Sequence, residues 1–246
     1  MNNYLAVVEY DGTDYKGFQS QPGNTKTVQG ELLKALKTLT GEISGFGYAG
    51  RTDSGVHATH QVINFRTYSE LDLYRFQWKF NCILPDDIVI SKMEKVPQDF
   101  DARRDAKQRQ YTYYIVNSST QSVFWKRYSL FITCKLDTDA MREAAKRFIG
   151  TNDFTSFCSV NLHPGFNTRE VYSCSIGKRT GGLLVFRISA NSFLYNMVRI
   201  IVGTILEVGR GKRSSENIDS IFEGKDRKLA GRIVPPQGLF LTDVKY

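Results

Sequence analysis

The chain has 246 residues, of which 41% are hydrophobic and 24% charged, and it carries a formal net charge of +8 at pH 7. No apolar run reaches the roughly 20 residues that span a bilayer, and the start Met-Asn-Asn-Tyr-Leu lacks the charged segment and cleavage site of a signal peptide. We therefore expect a cytoplasmic globular protein without a membrane anchor, and the excess of cations favours a polyanionic partner.

The first half of the chain predicts the order strand, helix, strand, strand, helix, strand. Its first helix has an N-cap at Thr27 and Gly41 just beyond its end. The predicted elements are residues 3–10, 28–40, 43–49, 61–67, 71–82 and 87–96. This is the ferredoxin-like order.

The second half predicts the same order, with a short extra helix at 215–222 before the last strand. Its elements are residues 109–116, 137–149, 171–178, 183–190, 192–208 and 239–246. We therefore predict an α+β protein of two ferredoxin-like halves, 1–104 and 105–246, whose antiparallel sheets join around a central catalytic cleft.

Residues 50–62 read GRTDSGVHATHQV and place Asp53 on a short loop between two predicted strands. A loop held by sheet at both ends often carries chemistry. Taken alone, Asp53 is as consistent with a turn or an ion pair with Arg51 as with a catalytic role. Glycines 45, 47 and 50 match G-x-G-x-x-G, but no helix follows them, so we do not predict a nucleotide cofactor.

Metal and disulfide sites are not predicted. The cysteines at 82, 134, 158 and 174 form no C-x-x-C pair, and we expect them to be free, buried thiols. His57 and His60 have no partners at metal-ligand spacing.

Residues 91–135 combine cations with aromatic side chains. Nine Lys or Arg stand against four acids, a net charge of +5, and Tyr111, Tyr113 and Trp125 lie among them. Such interleaving suits phosphates and unstacked bases, although a solvated charged loop is the plain alternative.

The predicted helix 192–208 is apolar at nearly every position, yet it contains Arg199. A buried arginine is costly unless it is paired. Glu207 is an awkward partner because it lies two turns away, and a backbone carbonyl is a further alternative.

Several of these segments resemble motifs of the tRNA pseudouridine synthase A family. The loop 50–58 has the form G-R-T-D-x-G-V-H-A of the nucleophilic aspartate motif, and 193–203 resembles F-L-x-x-M-V-R-x-x-V-G. Segments 10–21, 81–88, 100–111 and 238–246 resemble further family motifs in family order. The departures from the usual residues are Phe18 for tryptophan, Ser54 for alanine, and Asp101 and Asn152 for histidine.

The resemblance implies isomerisation of uridine to pseudouridine at positions 38, 39 and 40 of the tRNA anticodon stem-loop, without cofactor or metal. It implies Asp53 as nucleophile, ion-paired with Arg199, and leaves open whether Asp53 attacks C6 of the base or C1′ of the ribose. Tyr111 would face the flipped base and assist proton removal, Leu239 would close the pocket, and Arg51 and Arg103 would bind substrate.

The resemblance also implies a homodimer in which each tRNA touches both subunits. Basic residues would then extend the positive surface: Lys107, Arg109, Lys126, Arg127, Arg210, Lys212 and Arg213. Two other classes remain open, a non-catalytic RNA-binding protein and a carboxylate-dependent glycosidase or nucleosidase, which would need a second placed acid.

Overall fold

The computed structural model describes residues 1–23, 25–159 and 166–246. The protein is a mixed α/β chain that divides into two compact units. The first consists of residues 1–107 with 240–246, and the second of residues 108–239.

The first unit contains a sheet covered by helices that pack on each other. Its elements are β1 (Asn2–Tyr10), α1 (Val28–Thr40), β2 (Gly45–Tyr48), β3 (His57–Thr67), α2 (Leu73–Ile83) and β4 (Ile88–Val96). The strands lie in the order β4, β1, β3, β2, and each neighbouring pair is antiparallel. Helix α2 packs on α1 and β4.

Helix α1 forms where the sequence predicts it. The Thr27 hydroxyl accepts a hydrogen bond from the Gly30 N–H at 3.2 Å, and Gly41 ends the helix with φ of 78°. The apolar face of the helix is buried through Val28, Leu32, Ala35 and Leu36. Both the cap and the terminating glycine are therefore confirmed.

The last strand, β10 (Leu239–Lys245), runs parallel to β3, with Phe240 opposite His57 and Leu241 opposite Ala58. At its end the Tyr246 hydroxyl donates to the Ala102 carbonyl at 2.9 Å. These bonds hold residues 240–246 in the first unit. The sheet of this unit is mixed, so the prediction of purely antiparallel sheets is wrong here.

In the second unit the strands lie in the order β5, β9, β8, β7, and neighbours in this order are antiparallel. Its elements are β5 (Gln108–Asn117), β6 (Leu130–Ile132), α3 (Thr138–Lys146), β7 (Gly150–Asp153), β8 (Thr168–Lys178), β9 (Leu183–Ala190), α4 (Met197–Gly209) and α5 (Asn217–Gly224). The short strands β6 and β7 were not predicted, and β6 is parallel to β5.

Helix α4 begins five residues later than predicted, and the cause is local. Asn196 immediately precedes it with φ of 60°, a left-handed conformation that residues other than glycine adopt at a cost. The Met197 N–H bonds to the Leu194 carbonyl in a turn. The apolar residues before Asn196 therefore belong to a loop, not to the helix.

The cysteine prediction is half right. Cys158 and Cys174 are buried, whereas Cys82 and Cys134 are exposed, and all four are free thiols. Burial raises the pKa of the Cys174 thiol well above its ordinary value. Within the described ranges, no helix combines the length and apolarity needed to cross a membrane.

Candidate active site

The loop that carries Asp53 connects β2 to β3, as predicted, although β3 starts four residues earlier than expected. Backbone bonds fix the loop at its first end, where the Ala49 N–H donates to the Val62 carbonyl at 2.8 Å. The fully buried Gln61 amide brackets Gly50, accepting from its N–H at 3.2 Å and donating to its carbonyl at 2.6 Å.

The middle of the loop is held by the segment that follows β1. The hydroxyls of Tyr10 and Thr52 are 2.7 Å apart in a buried hydrogen bond. The Phe18 N–H donates to the Thr52 carbonyl at 3.0 Å, and the Ser54 hydroxyl donates to the Tyr15 carbonyl at 3.1 Å. Asp53 itself is half-buried, and its carbonyl accepts from the Val56 N–H at 3.1 Å.

Glycine makes this close approach possible. A Cβ on Gly12 would lie 1.9 Å from the Val56 carbonyl oxygen, which no side chain tolerates. Gly17 has φ of 95° and lies against the Thr52 carbonyl. The predicted motif 10–21 therefore acts as a backbone clamp on the Asp53 loop.

The loop ends on a buried histidine that closes the turn into β3. His57 Nδ1 accepts a hydrogen bond from the Gly12 N–H at 3.1 Å and lies 3.1 Å from an Asp11 carboxylate oxygen. Its ring stacks on Phe240 with 4.5 Å between centroids. Within the described ranges there is no group of three or more histidine, cysteine or acidic residues that could hold a metal ion.

Arg199 lies in the first turn of α4, half-buried in the second unit. Its Nε donates to the Val234 carbonyl at 2.8 Å, and Nη1 donates to Asn196 Oδ1 at 2.9 Å. A backbone carbonyl was one of the predicted partners; Glu207 instead pairs with Arg213 at 2.5 Å. Asp53 belongs to the other unit, and its pairing with Arg199 stays a prediction.

Tyr111 and Tyr113 project from the same face of β5, because they are two residues apart on the strand. The buried ring of Tyr111 meets Phe193 edge-on at 5.1 Å. The Tyr113 hydroxyl donates to the Pro235 carbonyl at 2.8 Å, and burial raises the pKa of Tyr113, partly offset by the nearby charge of Arg199.

Leu239 is buried directly after Gly238, which packs against the Tyr113 ring so closely that a Cβ would lie 2.7 Å from it. The second unit thus brings Arg199, Tyr113 and the segment before Leu239 together through the 234–238 backbone. Tyr113, Asn196 and Val234 were missed as site residues. Only Tyr113 had a signal, its place in the basic and aromatic stretch.

The remaining predicted substrate contacts, Arg51 and Arg103, are both exposed in the first unit. Arg103 lies in a turn organised by Asp101, whose Oδ1 accepts from the N–H groups of Arg103 and Arg104 at 2.9 Å each. Burial opposes ionisation of Asp101, but these hydrogen bonds outweigh it and lower its pKa. Asp101 therefore shapes the turn that carries Arg103.

Of the other basic residues predicted for the positive surface, Arg109 does not belong there. It is buried, and its Nη1 donates to the Asn191 carbonyl at 2.8 Å. The alternation of β5 points this side chain inward, which a charge count along the sequence cannot show.

Comparisons with known proteins point to one family. A family model described as tRNA pseudouridine synthase matches residues 6–105 and 144–246. The tRNA pseudouridine synthase A of Caldicellulosiruptor bescii is 44% identical over 246 residues, the full length of both chains, and that of Acetivibrio thermocellus is also 44% identical over full length. The Geobacillus sp. (strain WCH70) enzyme is 46% identical over 98% of this chain and 96% of its own.

Proposed function

This chain belongs to the tRNA pseudouridine synthase family and is an isomerase acting on tRNA uridine; from that premise we propose that it modifies positions 38, 39 and 40 of the anticodon stem-loop with Asp53 as nucleophile. The observation that carries the proposal is the setting of Asp53. A half-buried carboxylate sits on a loop fixed by Gln61, Tyr10 and Tyr15, whereas an ordinary surface aspartate needs no such clamp.

The chemistry requires an ionised, poorly hydrated carboxylate. The bond between C1′ and N1 of uracil breaks, the base turns, and a bond from C1′ to C5 forms, while C5 loses a proton and N1 gains one. Asp53 starts this sequence by attack on C6 or on C1′. The Arg199 guanidinium, placed against it, would favour the ionised form.

The other predicted residues have compatible settings. Tyr111 would offer its ring to the flipped base and its hydroxyl to proton removal from C5. Leu239 would close the pocket around the detached base. Arg51 and Arg103 are exposed and therefore able to reach RNA, and Arg51 would occupy the space that the flipped base leaves or grip its phosphate.

For the fold we propose two ferredoxin-like halves, 1–104 and 105–246, joined around a catalytic cleft, with the last strand of the second half, β10, paired to β3 and packed in the first unit. The strand order β4, β1, β3, β2 with α1 and α2 as crossovers supports this for the first half. We further propose a cytoplasmic homodimer. A compact chain of this length has a radius of gyration of about 18 Å, so one subunit is short compared with the distance between the anticodon arm and the elbow of a tRNA.

Sedimentation with and without tRNA tests the dimer. A protein that is monomeric in both cases and still active would exclude it.

The decisive experiment is release of tritium from C5 of labelled tRNA uridine. Release that is stoichiometric with pseudouridine supports the proposal, and mapping the modified sites in a strain lacking the protein locates the positions. Tight tRNA binding without release would instead indicate a non-catalytic RNA-binding protein. Free uracil with its C5 hydrogen retained would indicate a nucleosidase.

A further inference from the structure

The second unit contains a cleft of about 890 Å³, and none of its lining residues comes from the loop that carries Asp53. It lies between the C-terminal half of α4 and the segment 229–235, and we call it the α4 cleft. Four cations line it, Arg210, Lys212, Arg213 and Arg232, against the single carboxylate of Glu207. Arg210, Lys212 and Arg213 were predicted for a positive surface extending over two subunits, but no catalytic role above is assigned to these residues or to Arg232.

One of the four cations, Arg213, is used in an internal ion pair. Glu207 is already neutralised by Arg213, whose Nη1 also donates to the Leu229 carbonyl at 2.6 Å. Across residues 1–23, 25–159 and 166–246, the exposed side chains of Arg210, Lys212 and Arg232 have no carboxylate within ion-pair distance. The cleft therefore presents three unneutralised charges to solvent.

The wall that carries Arg232 is fixed to α4 by backbone contact. A Cβ on Gly203 would lie 1.8 Å from the Arg232 carbonyl oxygen, and one on Gly231 would lie 2.6 Å from the Thr204 nitrogen. The Gly231 N–H also donates to the Thr204 hydroxyl at 2.9 Å. The backbone that carries these cations is therefore fixed before a ligand binds. This lowers the entropy cost of binding.

Apolar side chains also line the cleft. Leu229 and Ile233 line it and remain 41% and 39% exposed. Cations around a partly apolar surface match a nucleic-acid strand, whose phosphates pair with the charges while its sugars and bases contact apolar groups. A second copy of this chain fits worse, because its net charge is also +8.

We propose that the α4 cleft binds the sugar–phosphate backbone of the tRNA substrate at a place separate from the reacting uridine. The proposal rests on the proposed function. Arg210, the C-cap of α4, lies 11 residues beyond Arg199, about 16 Å along the helix axis. Val234 lines the cleft, accepts from Arg199 Nε, and donates its N–H to the Arg199 carbonyl at 3.4 Å. The proposed RNA-binding cleft and the predicted catalytic residue Arg199 are therefore positioned by the same two segments, α4 and residues 229–235.

The test is a triple variant, Arg210→Gln with Lys212→Gln and Arg232→Gln, in the full-length protein. Its matched control removes three exposed cations of the same unit that do not line the cleft, Lys146→Gln with Lys178→Gln and Arg179→Gln. Both variants lose the same charge, so long-range effects cancel between them. Dissociation constants for unmodified tRNA are measured between 50 and 200 mM salt, together with kcat and KM for tritium release.

We expect the cleft variant to weaken tRNA binding at least tenfold and to lower the slope of log Kd against log salt by roughly 2 to 3, about one for each lost phosphate contact. We expect KM to rise by a larger factor than kcat falls. A cleft variant that binds like the control overturns the proposal. So does a change in oligomeric state with tRNA affinity retained, which would make the cleft a protein interface. Wild-type protein that binds tRNA without releasing tritium refutes the proposed function, whereas the binding comparison still decides the cleft.

Discussion

The Tyr15 hydroxyl donates a hydrogen bond to the Asp87 carboxylate, which joins two sequence motifs that lie 72 residues apart. Lys26 covers the Tyr15 ring at 4.3 Å and lies 3.6 Å from the Asp87 carboxylate. On its backbone side, Tyr15 accepts hydrogen bonds from the Ser54 hydroxyl and the Gly55 N–H. Tyr15 therefore links the turn before β4 to the loop that carries Asp53.

Tyr15→Phe tests this link, because it removes only the hydroxyl. We expect the free energy of unfolding in urea to fall by about 1.5 to 3 kcal/mol, the usual worth of a hydrogen bond to a charged group, and turnover to fall with it. Tyr74→Phe is the matched control, since its side chain is 86% exposed. Stability and turnover equal to those of the control would show that the link has no role.

Alkaline pH should weaken the fold through the same tyrosine. Burial, together with the Asp87 hydrogen bond, raises the pKa of Tyr15 far above its ordinary value near 10. The folded state therefore keeps the proton while the unfolded chain loses it, so the stabilisation is complete below about pH 10 and declines as pH rises further. Urea midpoints from pH 8 to 11 should fall more steeply for wild type than for Tyr15→Phe; parallel curves would contradict the assignment.

Asp53→Asn should abolish tritium release and keep tRNA affinity within about tenfold. The amide has nearly the same shape but is not a nucleophile, and phosphate contacts dominate affinity for RNA. Single-turnover assays and filter binding measure the two quantities separately. Turnover near the wild-type rate would eliminate Asp53 as the nucleophile.

Arg199→Met should damage stability and catalysis together. It leaves a partly buried carboxylate unpaired if Asp53 is the partner, at roughly 3 to 5 kcal/mol, and it removes the donor to the Val234 carbonyl. Asn196→Gly is the control, because glycine tolerates the φ of 60° and the substitution removes the side-chain bonds to Arg199 and Ser159 while it keeps the guanidinium. A folded and fully active Arg199→Met would mean that the ion pair does not exist.

Local signals in the sequence were sufficient for most elements and for the Asp53 loop. The ends of α1 were predicted correctly at Thr27 and Gly41, because helix capping depends on neighbours within one turn. The start of α4 could not be predicted, because an apolar run does not reveal the left-handed Asn196 that interrupts it. Partners distant in sequence were equally hidden: β10 lies parallel to β3, and Arg199 bonds to Val234, for reasons that only tertiary packing supplies.

Gly203→Ala should separate α4 from the segment 230–235. The new methyl group would overlap the Arg232 carbonyl, so helix and segment must move apart, at about 1 to 3 kcal/mol for overpacking. That movement also displaces Val234 from Arg199, and we expect both tRNA affinity and turnover to fall. Gly177→Ala is the control, because the nearest atom to its added Cβ is the Val185 carbonyl oxygen at 4.0 Å. Thermal unfolding and tritium release on the two variants make the comparison, and equal behaviour would show that close packing at Gly203 supports neither the α4 cleft nor Arg199.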